Sequence, residues 1–186
     1  MNPLFSQLEH LIAADAERMR VLRLVRELDL PDGWVAAGFV RSAVWDHLHR
    51  RDHSPLPADI DVIWFDANCA SAERDAALEA SLKRLDGSLA WSVKNQARMH
   101  QRNDDPPYRS ATDAMRHWPE TATAVAARLG ADGIEIAAPL GLEDLFDLRV
   151  CPTPRFQMEK LPLYRERLRS KNWVATWPGL VIQQDG

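Results

Sequence analysis

A chain of 186 residues with 46% hydrophobic and 27% charged side chains has the balance of a globular protein with a core of ordinary domain size. Its net charge of −4 and pI near 5.9 exclude a global electrostatic attraction to nucleic acid or to an anionic membrane surface. No apolar stretch approaches membrane-span length, and Cys69 and Cys151 have neither metal-ligand spacing nor a disulfide framework, so free thiols in a cytoplasmic protein are expected.

The opening MNPLFSQLEHLIAADAERM is acidic and amphipathic and lacks the basic start and apolar core of a secretion signal, which also points to the cytoplasm. Leu4, Leu8, Leu11, Ile12, Met19, Leu22 and Val25 recur at helical spacing, so one or two helices are expected before the Leu30-Pro31-Asp32-Gly33 turn. Trp34 to Val40 reads as a short buried strand and Arg41 to His49 as the helix that follows. After a polar, proline-containing loop from Arg50 to Ala58, Ile60 to Phe65 is the next strand. Ser71 to Leu85 is a helix capped by Ser71. Leu89 to Met99 reads as a strand with a polar second half, and Arg102 to Pro107 as a loop. A helix opening at Ser110 or Thr112, interrupted at Trp118-Pro119, is expected to resume from Thr121 to Leu129. Gly133 to Ala138 is a strand, Gly141 to Val150 a short helix, and Leu163 to Trp173 a last, arginine-rich helix. Strands mixed with helices predict an α/β (α+β) fold in one domain over 1–186, with a sheet core at 31–150 and helical segments at 1–30 and 151–186.

Within PADIDVIWFD, Asp59 and Asp61 lie one residue apart in an otherwise apolar run. On a strand they share a face, roughly 6–7 Å apart at Cα. Two carboxylates on one face repel and each is costly to bury alone, and a divalent cation removes both difficulties. Carboxylate oxygens suit Mg²⁺ or Mn²⁺, which bridge to substrate phosphates. Two such ions about 3.5–4 Å apart clamp the attacking and leaving oxygens of a phosphoryl or nucleotidyl transfer. The plainer reading is a strand entrance with both carboxylates in water. Upstream, Gly38-Phe39-Val40-Arg41-Ser42 joins a strand to a helix start. Glycine lets backbone approach a ligand, the helix N-terminus offers N–H groups and a positive dipole to phosphate, and Arg41 adds a forked donor. An ordinary strand–helix turn looks the same when taken alone. A phosphate-cradling turn followed within about twenty residues by a carboxylate pair supplies both halves of a nucleoside triphosphate–metal site.

AGFVRSAVWDHL, a polar loop and PADIDVIWFD together resemble the nucleotidyltransferase superfamily of the polymerase-β type. The Gly38…Val40-Arg41 spacing resembles the Gly-Gly-x-Val-Arg-Asp element that accompanies Asp-x-Asp in tRNA nucleotidyltransferases. VKNQARMH at 93–100, RHWPETATAVAARL at 116–129 and GLEDLFDLRVCPTP at 141–154 resemble a bacterial nucleotidyltransferase-like family of unassigned substrate, and the likeness covers most of 34–177. The resemblance implies a nucleotidyltransferase-type mixed sheet flanked by helices. It also implies transfer of a nucleoside monophosphate from a nucleoside triphosphate to an unknown acceptor with Mg²⁺ or Mn²⁺. Asp59 and Asp61 would be the catalytic, metal-holding pair, while Gly38, Phe39, Arg41 and Ser42, with Lys94, Asn95 and Arg98, would meet the nucleotide. Two departures stand out: Ala37 replaces the first glycine of the usual pair, and Ser42 stands where the tRNA enzymes have Asp. A third carboxylate usually comes from a neighbouring strand, but Trp91-Ser92-Val93-Lys94-Asn95 offers no acid. Glu135 is the remaining candidate for that catalytic role, or else a solvent-facing strand residue.

Alternation along 95–100 would set Gln96, Arg98 and His100 on one face, as a row contacting base, ribose or acceptor or as a plain edge strand. His47, His49 and His53, with Asp46 and Asp52, suggest zinc or a solvated loop. Arg165, Arg167, Arg169 and Lys171 form a solvated face or the acceptor side of a cleft. Trp118, Trp173 and Trp177 are read as core or clamp residues rather than base platforms. The acceptor is a small molecule, a protein or an RNA end; the acidic pI argues against long nucleic acid, and no membrane partner is expected. The rival reading, favoured by the missing third acid, is a catalytically inactive nucleotide-binding or interaction module of the same fold.

Overall fold

The computed structural model describes residues 2–184, so residues 1, 185 and 186 of the expected domain lie outside the described residues. Asn2 accepts a hydrogen bond from the Leu4 N–H, and Pro3 at the first helical position has no N–H to leave unsatisfied, so helix α1 (Pro3–Ala14) starts there. Asp15 ends α1 and caps α2 (Ala16–Arg26) by accepting from the Arg18 N–H. The apolar residues spaced along both helices, Leu8, Ile12, Val21, Leu22 and Val25, enter the core.

Arg18 is fully buried. Its Nε donates to the Phe39 carbonyl at 2.8 Å, its Nη atoms donate to the Ser54 and Pro55 carbonyls, and it pairs with Asp15. A guanidinium is tolerated inside only with such a complete set of acceptors. The set ties the N-terminal helices to the two segments that carry the candidate glycine turn and the carboxylates.

The sheet core then runs β1 (Trp34–Ala36), α3 (Gly38–Leu48), β2 (Ile60–Trp64), α4 (Ala72–Leu85), β3 (Trp91–Asn95), α5 (Gln96–Asn103), α6 (Ala111–Met115), a 3-10 turn at Thr121–Thr123, β4 (Ala126–Leu129) and β5 (Ile134–Ala137). The strands lie in the order β3-β2-β1-β4-β5. β2 and β3 are parallel, with α4 as the crossover, and the other pairs are antiparallel. The C-terminal part adds α7 (Glu143–Phe146), β6 (Arg149–Val150), α8 (Leu161–Lys171), α9 (Trp173–Thr176) and β7 (Val181–Ile182), and β6 pairs in parallel with β7. Its Trp173 and Trp177 rings meet the fully buried Trp45 edge to face, with centroids 5.6 and 5.1 Å away. One hydrophobic core therefore takes residues from Leu8 to Leu180. Among the described residues no helix is long and apolar enough to cross a membrane.

The mixed sheet with flanking helices is the expected architecture, but several elements differ from their expected form. Strand β1 stops at Ala36, and Gly38, Phe39 and Val40 are the first residues of α3. A short apolar run has no periodicity to separate strand from helix, and here it is buried as a helix. The polar half of the 89–99 segment is α5, because the Asn95 side chain leaves the ladder and accepts from the Ala97 N–H at 3.0 Å. Gln96, Arg98 and His100 therefore do not share a strand face. The expected helix over 121–129 is a 3-10 turn followed by β4. Ala126 and Ala127 fit closely against Ala36 and Val35, and that pairing overrides the helix propensity of alanine. In 141–150 the helix is confined to α7, and Leu148, at φ 56°, turns the chain into β6.

Candidate active site

The register of β1 against β2 builds the site. Ala36 lies opposite Asp61, so the chain leaving β1 enters α3 directly beside that carboxylate. Ala37 makes the turn at φ 56° and ψ −121°, with its N–H donating to the Val125 carbonyl at 2.9 Å. Its own carbonyl accepts from the N–H groups of Val40 and Arg41, and no side chain caps the helix. The N-terminus of α3 is thus open, with the positive end of its dipole beside the sheet. A Cβ added at Gly38 would meet Pro57 and Arg41 at 3.5 Å, ordinary contact distances, so packing within the protein does not demand glycine there.

Asp61 is partly buried on β2 and faces Ser92, its partner on β3, whose hydroxyl hydrogen-bonds the carboxylate. Burial raises the Asp61 carboxyl above its ordinary range, and the charge of Asp59 pushes it the same way. Ser92, Lys171 and Arg41 act in the opposite direction. Asp59 is exposed and immediately precedes the strand. Two carboxylates that repel, beside a hydroxyl, make an all-oxygen donor set suited to a hard divalent cation, whose charge would relieve the repulsion at Asp61. Among the described residues, no group of three or more His, Cys, Asp or Glu side chains gathers for a metal ion.

Arg41 is buried behind this corner. Its Nη1 donates to the Thr123 hydroxyl at 2.9 Å, and its guanidinium packs against the rings of both Trp45 and Trp173, 4.9 and 4.5 Å from their centroids. Burial lowers its pKa to about 10 against the opposing charge of Glu120. Its Nε has no hydrogen-bond partner. Ser42 and Phe39 are buried in the same helix.

A cleft of about 370 Å³ opens over Asp61. Ala37, Ser92, Lys94, Arg102, Thr123 and Arg167 lie along its walls, together with Trp118. Of the nucleotide-contact candidates, Lys94 is in this cleft. Asn95 is fully buried, with its side-chain amide donating to the Asp66 and Cys69 carbonyls. Arg98 is held through Nε by Asp75, itself bound to the Trp64 indole. Those two side chains fix the β3–α5 corner from outside the cleft. Glu135 faces the same side of the sheet as Asp61 but on β5, three strands away, where it is exposed and accepts from Arg128 at 2.7 Å. The structure does not bring it to the carboxylate pair. The histidines also separate: His49 binds the Trp45 carbonyl and the Gly179 N–H, while His47 and His53 line a different hollow.

Sequence reasoning missed Arg102, Thr123 and Glu120. Arg102 falls in the expected loop 102–107 but belongs to α5, and Thr123 and Glu120 lie in a segment whose fold is decided by distant partners. Arg167 carried a signal in the basic run, with nothing in that run to single it out.

Comparison with known proteins adds three findings. The sequence profile of a family described as Nucleotidyltransferase matches residues 23–182. A solved structure described as a CCA-adding enzyme head domain is 36% identical, with a TM-score of 0.85 over 96% of this chain and 95% of that one. A CCA-adding enzyme with CTP and the Thermotoga maritima CCA-adding enzyme complexed with tRNA are 17% and 18% identical, with TM-scores of 0.60 and 0.58. This chain spans 43% and 42% of those longer chains, and the likeness to them is one of fold. Among curated proteins none matches.

Proposed function

The chain belongs to the nucleotidyltransferase family, and from that premise we propose that it transfers a nucleoside monophosphate from a nucleoside triphosphate to an acceptor in the cleft over Asp61. The observation that carries this reading is the pairing of Ala36 with Asp61, which sets an open helix N-terminus beside a carboxylate. The triphosphate lies against the first turn of α3 at Gly38 and Phe39, with Ser42 in that helix and Arg41 adding its charge from behind. Lys94 meets the nucleotide from β3, and Asn95 and Arg98 hold the corner that aims it. Asp59 and Asp61 would hold Mg²⁺ or Mn²⁺, which would supply positive charge against the phosphates.

The acceptor oxygen attacks the α-phosphorus in line. A new phosphorus–oxygen bond forms while the bond to the α–β bridging oxygen breaks. Pyrophosphate leaves with that electron pair, and the acceptor's proton passes to water. Positioning and charge stabilisation supply the acceleration. Glu135 has no part in this reading, because Arg128 holds it on the edge strand β5, three strands from Asp61. The likeness to a CCA-adding enzyme head domain makes an RNA 3′ end the first acceptor to test, ahead of a small molecule or a protein side chain. A triphosphate donor is consistent with the cytoplasmic location expected from the sequence.

The test is pyrophosphate release from each nucleoside triphosphate with Mg²⁺ or Mn²⁺ and a short RNA. Asp61→Asn should lower release by about two to three orders of magnitude. Mn²⁺ should raise the melting midpoint of the wild type but not of the variant. Equal background release from both proteins would overturn the reading and leave a binding module.

A further inference from the structure

The C-terminal basic run sends one side chain into the cleft. Arg167, on α8, lines the same cleft as Asp61, and 30% of its side chain is exposed. Its Nε donates at 2.6 Å to Oε1 of Glu120, a residue with no exposed surface. Its guanidinium also lies over Trp173, 5.5 Å from the ring centroid. Its two η-amino groups have no hydrogen-bond partner among the described residues. An arginine gripped through Nε with both η groups remaining keeps the paired donors that match phosphate oxygens.

The charges around it point the same way. A carboxylate buried as fully as Glu120 is costly without counter-ions, and its neighbours are Arg41 and Arg167, two positive charges against one negative. Oε2 of Glu120 is buried without a partner, so the carboxylate is not fully used by the fold. Two further cations border the cleft: Arg102 from α5, and Lys94 from β3, whose Nζ lies 3.9 Å from Glu79 of α4. Cations from three elements thus surround a compact space that has carboxylates at one side. Arg169, on the same helix, is instead exposed and paired with Glu166.

We propose that Arg167 binds the polyphosphate chain of the triphosphate, and that Glu120 is a positioning residue that holds its fork toward the cleft. α8 then completes the site. The identity of the ligand as a nucleotide donor rests on the transfer reading above; the anion site itself does not.

The test is calorimetric titration of the full chain with inorganic tripolyphosphate in Mg²⁺, for wild type, Arg167→Gln, Arg167→Lys and Glu120→Gln, with melting midpoints to check folding. Arg167→Gln should weaken tripolyphosphate by about ten- to a hundredfold, and Arg167→Lys, which keeps charge and stem but loses the fork, by a smaller factor. Glu120→Gln should weaken it in the wild type and add nothing in the Arg167→Gln background, a coupling that general loosening of the fold would not produce. Should Arg167→Gln fail to fold, Arg167→Lys decides. Unchanged tripolyphosphate affinity in the folded Arg167 variants overturns the proposal, and so does weakened oligoribonucleotide binding with tripolyphosphate unaffected. Pyrophosphate release is measured in parallel. Lost tripolyphosphate binding in Arg167→Gln with no release by the wild type keeps this proposal and removes the transfer reading. Release by the wild type with unchanged tripolyphosphate affinity in Arg167→Gln does the reverse.

Discussion

Ala37 carries the turn between β1 and α3 at φ 56° and ψ −121°, a region that a side chain occupies under strain and glycine occupies freely. Such strain is worth about 1–3 kcal/mol, and glycine returns about 0.5–1 kcal/mol of it as chain entropy in the unfolded state. Ala37→Gly should therefore stabilise the protein by about 1 kcal/mol, seen as a higher urea midpoint at constant slope. An equal or lower midpoint would show that the turn is relaxed. At this scale the sequence exposed Asp59 and Asp61, because carboxylates interrupting an apolar run have few structural uses. It also exposed Ala37 as a departure from the usual glycine pair. It could not expose Arg167 and Glu120, whose meaning comes from meeting each other 47 residues apart.

Helix α4 was legible because its punctuation is local: Ser71 accepts from the Arg74 N–H, and the apolar residues Leu78 and Leu82 recur on one face. Strand β4 was not, since only its neighbours in the sheet make Ala126-Ala127 a strand. The end of α4 also yields a pH prediction. Asp86 closes the helix, accepts from the hydroxyl and N–H of Ser88, and pairs with Arg20 of α2. Ser88 first, and Arg20 after it, hold the Asp86 carboxyl down at about 2. Its folded value lies below the unfolded value of about 3.9, so this contribution is complete above that pH and is lost as pH falls towards 2. Asp86→Asn should lose less of its melting midpoint than the wild type between pH 4 and 2. Parallel curves for the two proteins would remove Asp86 from the acid transition.

Across the whole molecule, the segment after 150 is joined to the sheet core through tryptophan. Trp173 packs on Trp45 and lies against both Arg41 and Arg167, so one ring supports the core, the buried cation behind α3 and the arginine in the cleft. Trp173→Ala should cost about 3–5 kcal/mol in chemical denaturation. A loss below about 1 kcal/mol would mean that α8 and α9 dock only loosely. The sequence marked Trp118, Trp173 and Trp177 as core or clamp residues; Trp118 lines the cleft, whereas Trp173 and Trp177 do pack on Trp45. That this cluster delivers a third wall to the cleft depends on where α8 lands, which no periodicity within α8 encodes.

Trp118 has a different fate from the other six indoles. Five are buried and Trp177 is bound to Asp46, whereas Trp118 stands on the wall of the cleft. Its emission is therefore exposed to whatever enters. An arriving purine or pyrimidine would quench it by stacking or shift it by displacing water, so the protein carries an optical gauge of occupancy that needs neither a label nor turnover.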